Sequence, residues 1–253
     1  ATILMLRDGP GGLEVFMVQR HHRIDFATGA MVFPGGKVEA SDADPALLPR
    51  CAGTEALDDA ARALRVAAVR ETFEEAGVLL ARGEEDEALV PGERLAGIRS
   101  RHGEALARHA CDIGAMVRAE RLLLALDLLV PFAHWITPTF MPRRFDTHFF
   151  LTTAPPDQLA AHDGRESVAS QWVSPAEAVA QAERRERTII FPTLMNLKKL
   201  GRSRSASEAL ETARRSPVVT VLPELVETPR GPRMRLPAEA DYDLVEAPLE
   251  NLR

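Results

Sequence analysis

Three glutamates, Glu71, Glu74 and Glu75, stand at i, i+3 and i+4 within Arg70-Glu71-Thr72-Phe73-Glu74-Glu75-Ala76-Gly77-Val78. On a helix that spacing gathers the three carboxylates on one face. Like charges held so closely cost roughly 0.2–0.5 kcal/mol per pair unless a cation neutralises them. Hard divalent cations take oxygen ligands, so a magnesium-type ion is the natural partner, and the alternative is a solvated acidic face. Val66, Val69, Phe73 and Ala76 form an apolar stripe on the opposite side. This stripe predicts a helix docked on a core with its carboxylates pointing outward. Gly77 follows the last periodic residue and can close the helix in the left-handed conformation. Arg70, four residues before Glu74, is placed to brace it.

The elements that must position this patch are readable around it. Thr54 is the predicted N-cap of a helix running to Ala76, with Glu55, Asp58 and Asp59 on its positive end. Thr2 to Leu6 and Leu13 to Gln19 read as two strands joined by the turn residues Asp8-Gly9-Pro10-Gly11-Gly12. Phe145 to Thr152 and Val168 to Val173 read as later strands. The second leads into Ser174-Pro175, which suits a helix start. Helical spacing covers Leu95 to His109 and Gly114 to Leu129, then Phe191 to Leu200 and Ser205 to Arg214. His102 and His109, seven apart, lack a third ligand and are expected at the surface. After Pro217 recurring prolines predict short strands or an extended arm.

Composition narrows the class. The chain has 253 residues, 45% hydrophobic and 27% charged, with a formal net charge of −6. This is ordinary globular content, without the basic balance of a nucleic-acid binder. Cys51 and Cys111 are too few for a disulfide framework, which favours a reducing, cytoplasmic setting. The most apolar run, Leu122 to Phe132, contains Asp127 and Pro131 and is too short to span a bilayer. We expect one elaborated domain over residues 1–253, with no membrane or nucleic-acid partner.

The residues from Arg70 to Val78 resemble the second half of the Nudix box, G-x5-E-x7-R-E-U-x-E-E-x-G-U with U a bulky aliphatic residue. Arg70, Glu71, Glu74, Glu75, Gly77 and Val78 match, and Thr72 departs. Phe33-Pro34-Gly35-Gly36-Lys37 resembles the turn into the box, but about 20 extra residues separate Gly36 from Arg70. The first glutamate of the pattern falls at Asp42 counting from Gly36, or at Arg62 counting back from Arg70. Arg20, Gly29 and Phe33 to Gly36 are similar to a signature of the coenzyme A branch, in which Asp25 stands at an arginine position. The interrupted box, Pro131 to Pro138 and Pro142 to Phe150 are similar to the coenzyme A diphosphatase subfamily, typified by the mammalian peroxisomal Nudix protein. The likeness runs from the first strand to about Gly201.

The resemblance implies an α/β fold, a mixed β-sheet sandwiched between helices. Insertions are expected at about 39–55 and 83–129, with a proline-rich arm at about 217–253. It implies hydrolysis of a diphosphate linkage with Mg2+ or Mn2+, with coenzyme A or acyl-coenzyme A as the expected substrate. ADP-ribose or NADH hydrolysis, or a non-catalytic Nudix-like module, are the alternatives. On the family pattern Gly36, Glu71, Glu74 and Glu75 hold metal, Glu71 orients or deprotonates water, and Arg70 steadies the glutamates. Glu166 is a candidate further acid, and otherwise a solvent-facing residue. Arg20 and Arg23 form either an anion-binding rim or a solvated loop. Arg143 and Arg144 offer forked donors to substrate phosphates.

Overall fold

The computed structural model describes residues 1–20, 29–158, 160, 167–229 and 231–248. Strands β1 (Thr2–Gly9) and β2 (Gly12–Arg20) form the expected hairpin, with Gly9 opposite Gly12 and Gly12 at φ 107°. Next come β3 (Met31–Val32), β4 (Cys51–Ala52) and helix α1 (Asp59–Ala76). The insertion before α1 is two 3-10 turns, Ala40–Ala43 and Pro45–Arg50. Strand β5 (Ala81–Gly83), helices α2 (Gly92–Ile98), α3 (Glu104–Ala107) and α4 (Ile113–Ala119), and strand β6 (Leu122–Ala125) follow. The chain continues through β7 (Val130–Ile136), β8 (Asp146–Thr153), β9 (Ser167–Val173), α5 (Pro175–Glu183), α6 (Phe191–Leu200) and α7 (Ala206–Arg215). It ends in β10 (Thr220–Val221), β11 (Glu224–Thr228), β12 (Gly231–Arg235) and β13 (Glu246–Pro248).

The main sheet has the order β10-β7-β8-β1-β2-β3, with β9 also on β2. The pairs β1/β8 and β7/β10 are parallel and the rest antiparallel, so the sheet is mixed. Alternation along β1 sends Ile3 and Met5 to one face, where they join Phe150 and the α1 stripe Val66, Val69, Phe73 and Ala76. Leu4 and Leu6 go to the other face, against Ala178, Phe191, Met195, Leu197 and Ala209 of α5, α6 and α7. The result is the expected α/β sandwich. Met234, Tyr242 and Ala247 of the closing arm are buried in the second cluster.

Three expectations need correction. Asp58, and not Thr54, caps α1: its Oδ1 accepts from Ala61 N–H at 2.7 Å, while the Thr54 carbonyl serves a turn to Leu57. The predicted helix from Leu95 breaks into α2, a π turn at Arg99–Gly103 and α3, before His109 adopts φ 53°. The predicted helix to Leu129 stops at Glu120, because Arg121 turns at φ 51° and Leu122–Ala125 becomes a strand between β4 and β5. No helix among the described residues is long and apolar enough to cross a membrane.

Candidate active site

Helix α1 presents the acidic patch from its last two turns, and Gly77 ends it at φ 66° with its N–H on the Phe73 and Thr72 carbonyls. A Cβ on Gly77 would stand 2.6 Å from the Arg99 guanidinium, which could swing aside, so the left-handed backbone is what favours glycine here. Against this face runs the Phe33-to-Lys37 turn, tied to β1 by Ile3 N–H donating to the Pro34 carbonyl at 2.9 Å. The Ala1 nitrogen donates to the Gly36 carbonyl at 2.7 Å, and Gly36 N–H returns a bond to the Ala1 carbonyl at 3.1 Å. A carbonyl has two lone pairs, so Gly36 keeps acceptor capacity.

The fit between turn and helix is tight. A Cβ on Gly36 would lie 2.2 Å from Glu71 Oε1, and one on Gly35 would lie 2.4 Å from the Ala1 carbonyl oxygen. Gly35 N–H donates to Glu75 Oε2 at 2.9 Å. The carboxylates therefore do not project into solvent as the sequence predicts. The Glu71 and Glu74 side chains are 13% and 14% exposed and Glu75 is buried, because the glycine turn and the insertion fold over them.

Arg70 is the buried hub. Its Nε and Nη2 reach the two Asp42 oxygens at 3.0 Å each, Nη2 also reaches the Lys37 carbonyl at 2.8 Å, and Nη1 lies 3.0 Å from Glu71 and 3.2 Å from Glu74. Glu39 stands 3.9 Å away. Asp42 is fully buried and is the carboxylate reached by counting from Gly36, whereas Arg62 donates to the Ala43 and Asp44 carbonyls and pins the insertion to α1. One guanidinium thus faces four carboxylates, an excess of negative charge in a desolvated crevice. Burial pushes the Glu74 carboxyl up to about 7, and neighbouring Glu71 and Glu39 push the same way against Arg70. An oxygen-rich crevice with an excess of negative charge beside an available carbonyl fits a hard divalent cation.

Arg20 ends β2, with its Nε buried and lacking a hydrogen-bond partner among the described residues. Arg143 and Arg144 are exposed in the loop between β7 and β8, where Arg144 Nε donates to the Thr137 carbonyl at 3.1 Å. This loop opens β8, whose Phe149 pairs with Thr2, and Thr2 bridges Gly35, so the arginines share the glycine turn's end of the sheet. Arg23, Asp25 and Glu166 lie outside the described residues. His102 is part-buried at 2.8 Å from Glu120, and His109 is exposed 3.1 Å from Glu39. Sequence reasoning missed Glu39. It also missed a separate cluster of His134, Asp146 and His148, whose only signal was histidines flanking one hairpin loop.

Comparison with known proteins gives the same picture. A profile described as the NUDT19 Nudix domain matches residues 50–200. The acyl-coenzyme A diphosphatase NUDT19 of Gallus gallus is 31% identical over 240 residues, covering 76% of this chain and 62% of that protein. The Homo sapiens protein of the same name is 30% identical, covering 78% and 63%. The chain therefore spans about three-fifths of the length of these relatives. The crystal structure of a NUDIX hydrolase from Alicyclobacillus acidocaldarius superposes with a TM-score of 0.65 at 30% identity, covering 85% of this chain and 96% of that one. A profile match over more than half of the chain, together with this structural neighbour, establishes that the chain belongs to the Nudix hydrolase family, in its NUDT19 branch.

Proposed function

We propose that residues 1–253 form one elaborated domain that hydrolyses a diphosphate linkage with Mg2+ or Mn2+, in coenzyme A or an acyl-coenzyme A. The observation that carries this reading is the crevice in which Glu71, Glu74 and Glu75 meet the Gly36 turn, with Arg70 locked between Asp42 and the glutamates. In the proposed assignment Glu74, Glu75, Glu71 and the Gly36 carbonyl hold the metal. The bound ion supplies charge neutralisation at the diphosphate and a water of lowered pKa. With metal bound, Glu71 would orient the attacking water or take its proton. Arg70 positions the glutamates without touching substrate. Glu166 adds an acid from outside the box.

Arg20, Arg23, Arg143 and Arg144 are assigned to the substrate phosphates, because an acidic chain needs local cations to hold a polyanion. The relatives named acyl-coenzyme A diphosphatase favour coenzyme A. Asp25, an acid at an arginine position of the coenzyme A signature, favours the second reading, ADP-ribose or NADH. Cys51 and Cys111 form no disulfide, which suits a cytoplasmic setting. The test is product analysis with Mg2+ or Mn2+ and coenzyme A, acyl-coenzyme A, NADH and ADP-ribose. Release of adenosine 3′,5′-bisphosphate from coenzyme A supports the proposal, and cleavage of none of the four removes it.

A further inference from the structure

A row of side chains crosses the main sheet beyond the glutamates. Thr220 of β10 pairs with His134 of β7, and His134 pairs with His148 of β8. The next residue, Phe149, pairs with Thr2, and Thr2 bridges Gly35, so the row extends from His148 towards Ala1 and Gly36. His148 is two residues from Phe150, which packs with α1, and strand alternation gives them the same face. Strands lie about 4.8 Å apart, which places the His148 backbone roughly 10 Å from that of Gly36.

The donors in this row converge. The His134 and His148 rings stack at 3.9 Å between centroids with a 15° interplanar angle. The Nε2 atoms of His134 and His148 lie 2.6 and 3.6 Å from the same oxygen, Asp146 Oδ1. One ligand atom from each of the three residues lies within 4.8 Å of the others. The other nitrogen of His134, Nδ1, sits 2.8 Å from Thr220 Oγ1. A carboxylate only accepts, so without metal Nε2–H of His134 faces Asp146 and Nδ1 accepts from the Thr220 hydroxyl. A metal ion at Nε2 would displace that proton, and the same hydroxyl can then accept from Nδ1–H and hold the ring in place.

From this geometry we infer that His134, Asp146 and His148 form a second metal site, for a borderline transition-metal dication of which Zn2+ is the best fit. It is distinct from the hard-cation site at the glutamates. Two imidazoles and one carboxylate on a tetrahedral ion leave one position for water or an anion. Imidazole selects Zn2+ and its transition-metal neighbours over Mg2+, which takes oxygen. Strand alternation puts His148 on the sheet face that packs against α1, the helix that carries the glutamates. The inference does not depend on the proposed hydrolysis.

The test is Co2+ titration of the full chain in saturating Mg2+, read by visible absorption, followed by Zn2+ displacement. One equivalent with the intense bands of a low-coordinate nitrogen-ligated ion is expected, retained in Glu75→Gln and lost in His134→Gln and His148→Gln. Thr220→Val should weaken binding about tenfold. In the unmodified chain, Zn2+ should shift the imidazole NMR signals of two of the seven histidines, a readout that needs no variant. No such bands, unshifted imidazoles, or a signal lost in Glu75→Gln and kept in the histidine variants would overturn the inference.

Discussion

Asp42 and Arg70 meet fork to fork across 28 residues of sequence, with both carboxylate oxygens 3.0 Å from guanidinium nitrogens and neither residue more than 2% exposed. The pair joins the insertion to α1 and aims the remaining Arg70 donor at Glu71 and Glu74. Asp42→Ala should cost about 3 kcal/mol, the lower end for removing one partner of a buried ion pair, because Glu71 and Glu74 still compensate Arg70 in part. Urea unfolding measures this. A change under 0.5 kcal/mol would show that the insertion is not anchored here.

The glycine turn predicts two different failures. Gly36→Ala puts a methyl 2.2 Å from the Glu71 carboxylate, so it should displace Glu71 and weaken Mg2+ binding while unfolding stays near wild type. Gly35→Ala drives its methyl into the Ala1 and Thr2 backbone and should destabilise by about 1–3 kcal/mol, the usual cost of overpacking. Calorimetric Mg2+ titration beside thermal melting separates them. The same pattern in both variants would contradict the assignment.

Glu74 links stability to pH. Its carboxyl is raised from its ordinary 4.5 to about 7, so folding favours the protonated form. The contribution of Glu74 to metal-free stability is therefore fullest below about 4.5 and is lost as pH rises through about 7, by up to ~3 kcal/mol. Mg2+ should restore it above pH 7, where the carboxylate is ionised. Melting temperatures from pH 5 to 8, with and without Mg2+, give the check. A metal-free protein that gains stability between pH 5 and 7 would contradict the crowded-carboxylate picture.

Arg144→Ala should lower kcat/KM for coenzyme A by roughly ten- to a hundredfold, the worth of about 1.5–3 kcal/mol for a charged hydrogen bond. The loss should be smaller for 3′-dephospho-coenzyme A. Equal losses on both substrates would assign Arg144 to the diphosphate, and no loss would remove it from the site.

What the sequence made legible was local. The α1 stripe and the i, i+3, i+4 glutamates needed only helical periodicity, and the Ser174 and Ser205 caps accept from Glu177 and Glu208 as their types suggest. Contacts made across the chain were not readable. Thr54 and Asp58 both suit a cap, and only the turn from Thr54 to Leu57 decides between them. Leu122–Ala125 has a helix-former's composition, but its place between β4 and β5 makes it a strand. The burial of the glutamates depends on the glycine turn and the insertion folding back, and the donors of the His134 cluster come from two strands whose pairing no local pattern encodes.

The central claim, that the glutamate crevice is the metal-dependent hydrolytic site, is tested most directly by the turnover of Glu75→Gln on coenzyme A at saturating Mg2+. The amide keeps the side-chain volume and an oxygen for the Gly35 N–H, but removes a charge from the metal. A melting temperature near wild type, with kcat reduced by at least about a hundredfold, or some 3 kcal/mol of transition-state stabilisation, is the predicted result. A folded Glu75→Gln that turns over at the wild-type rate would place the chemistry elsewhere.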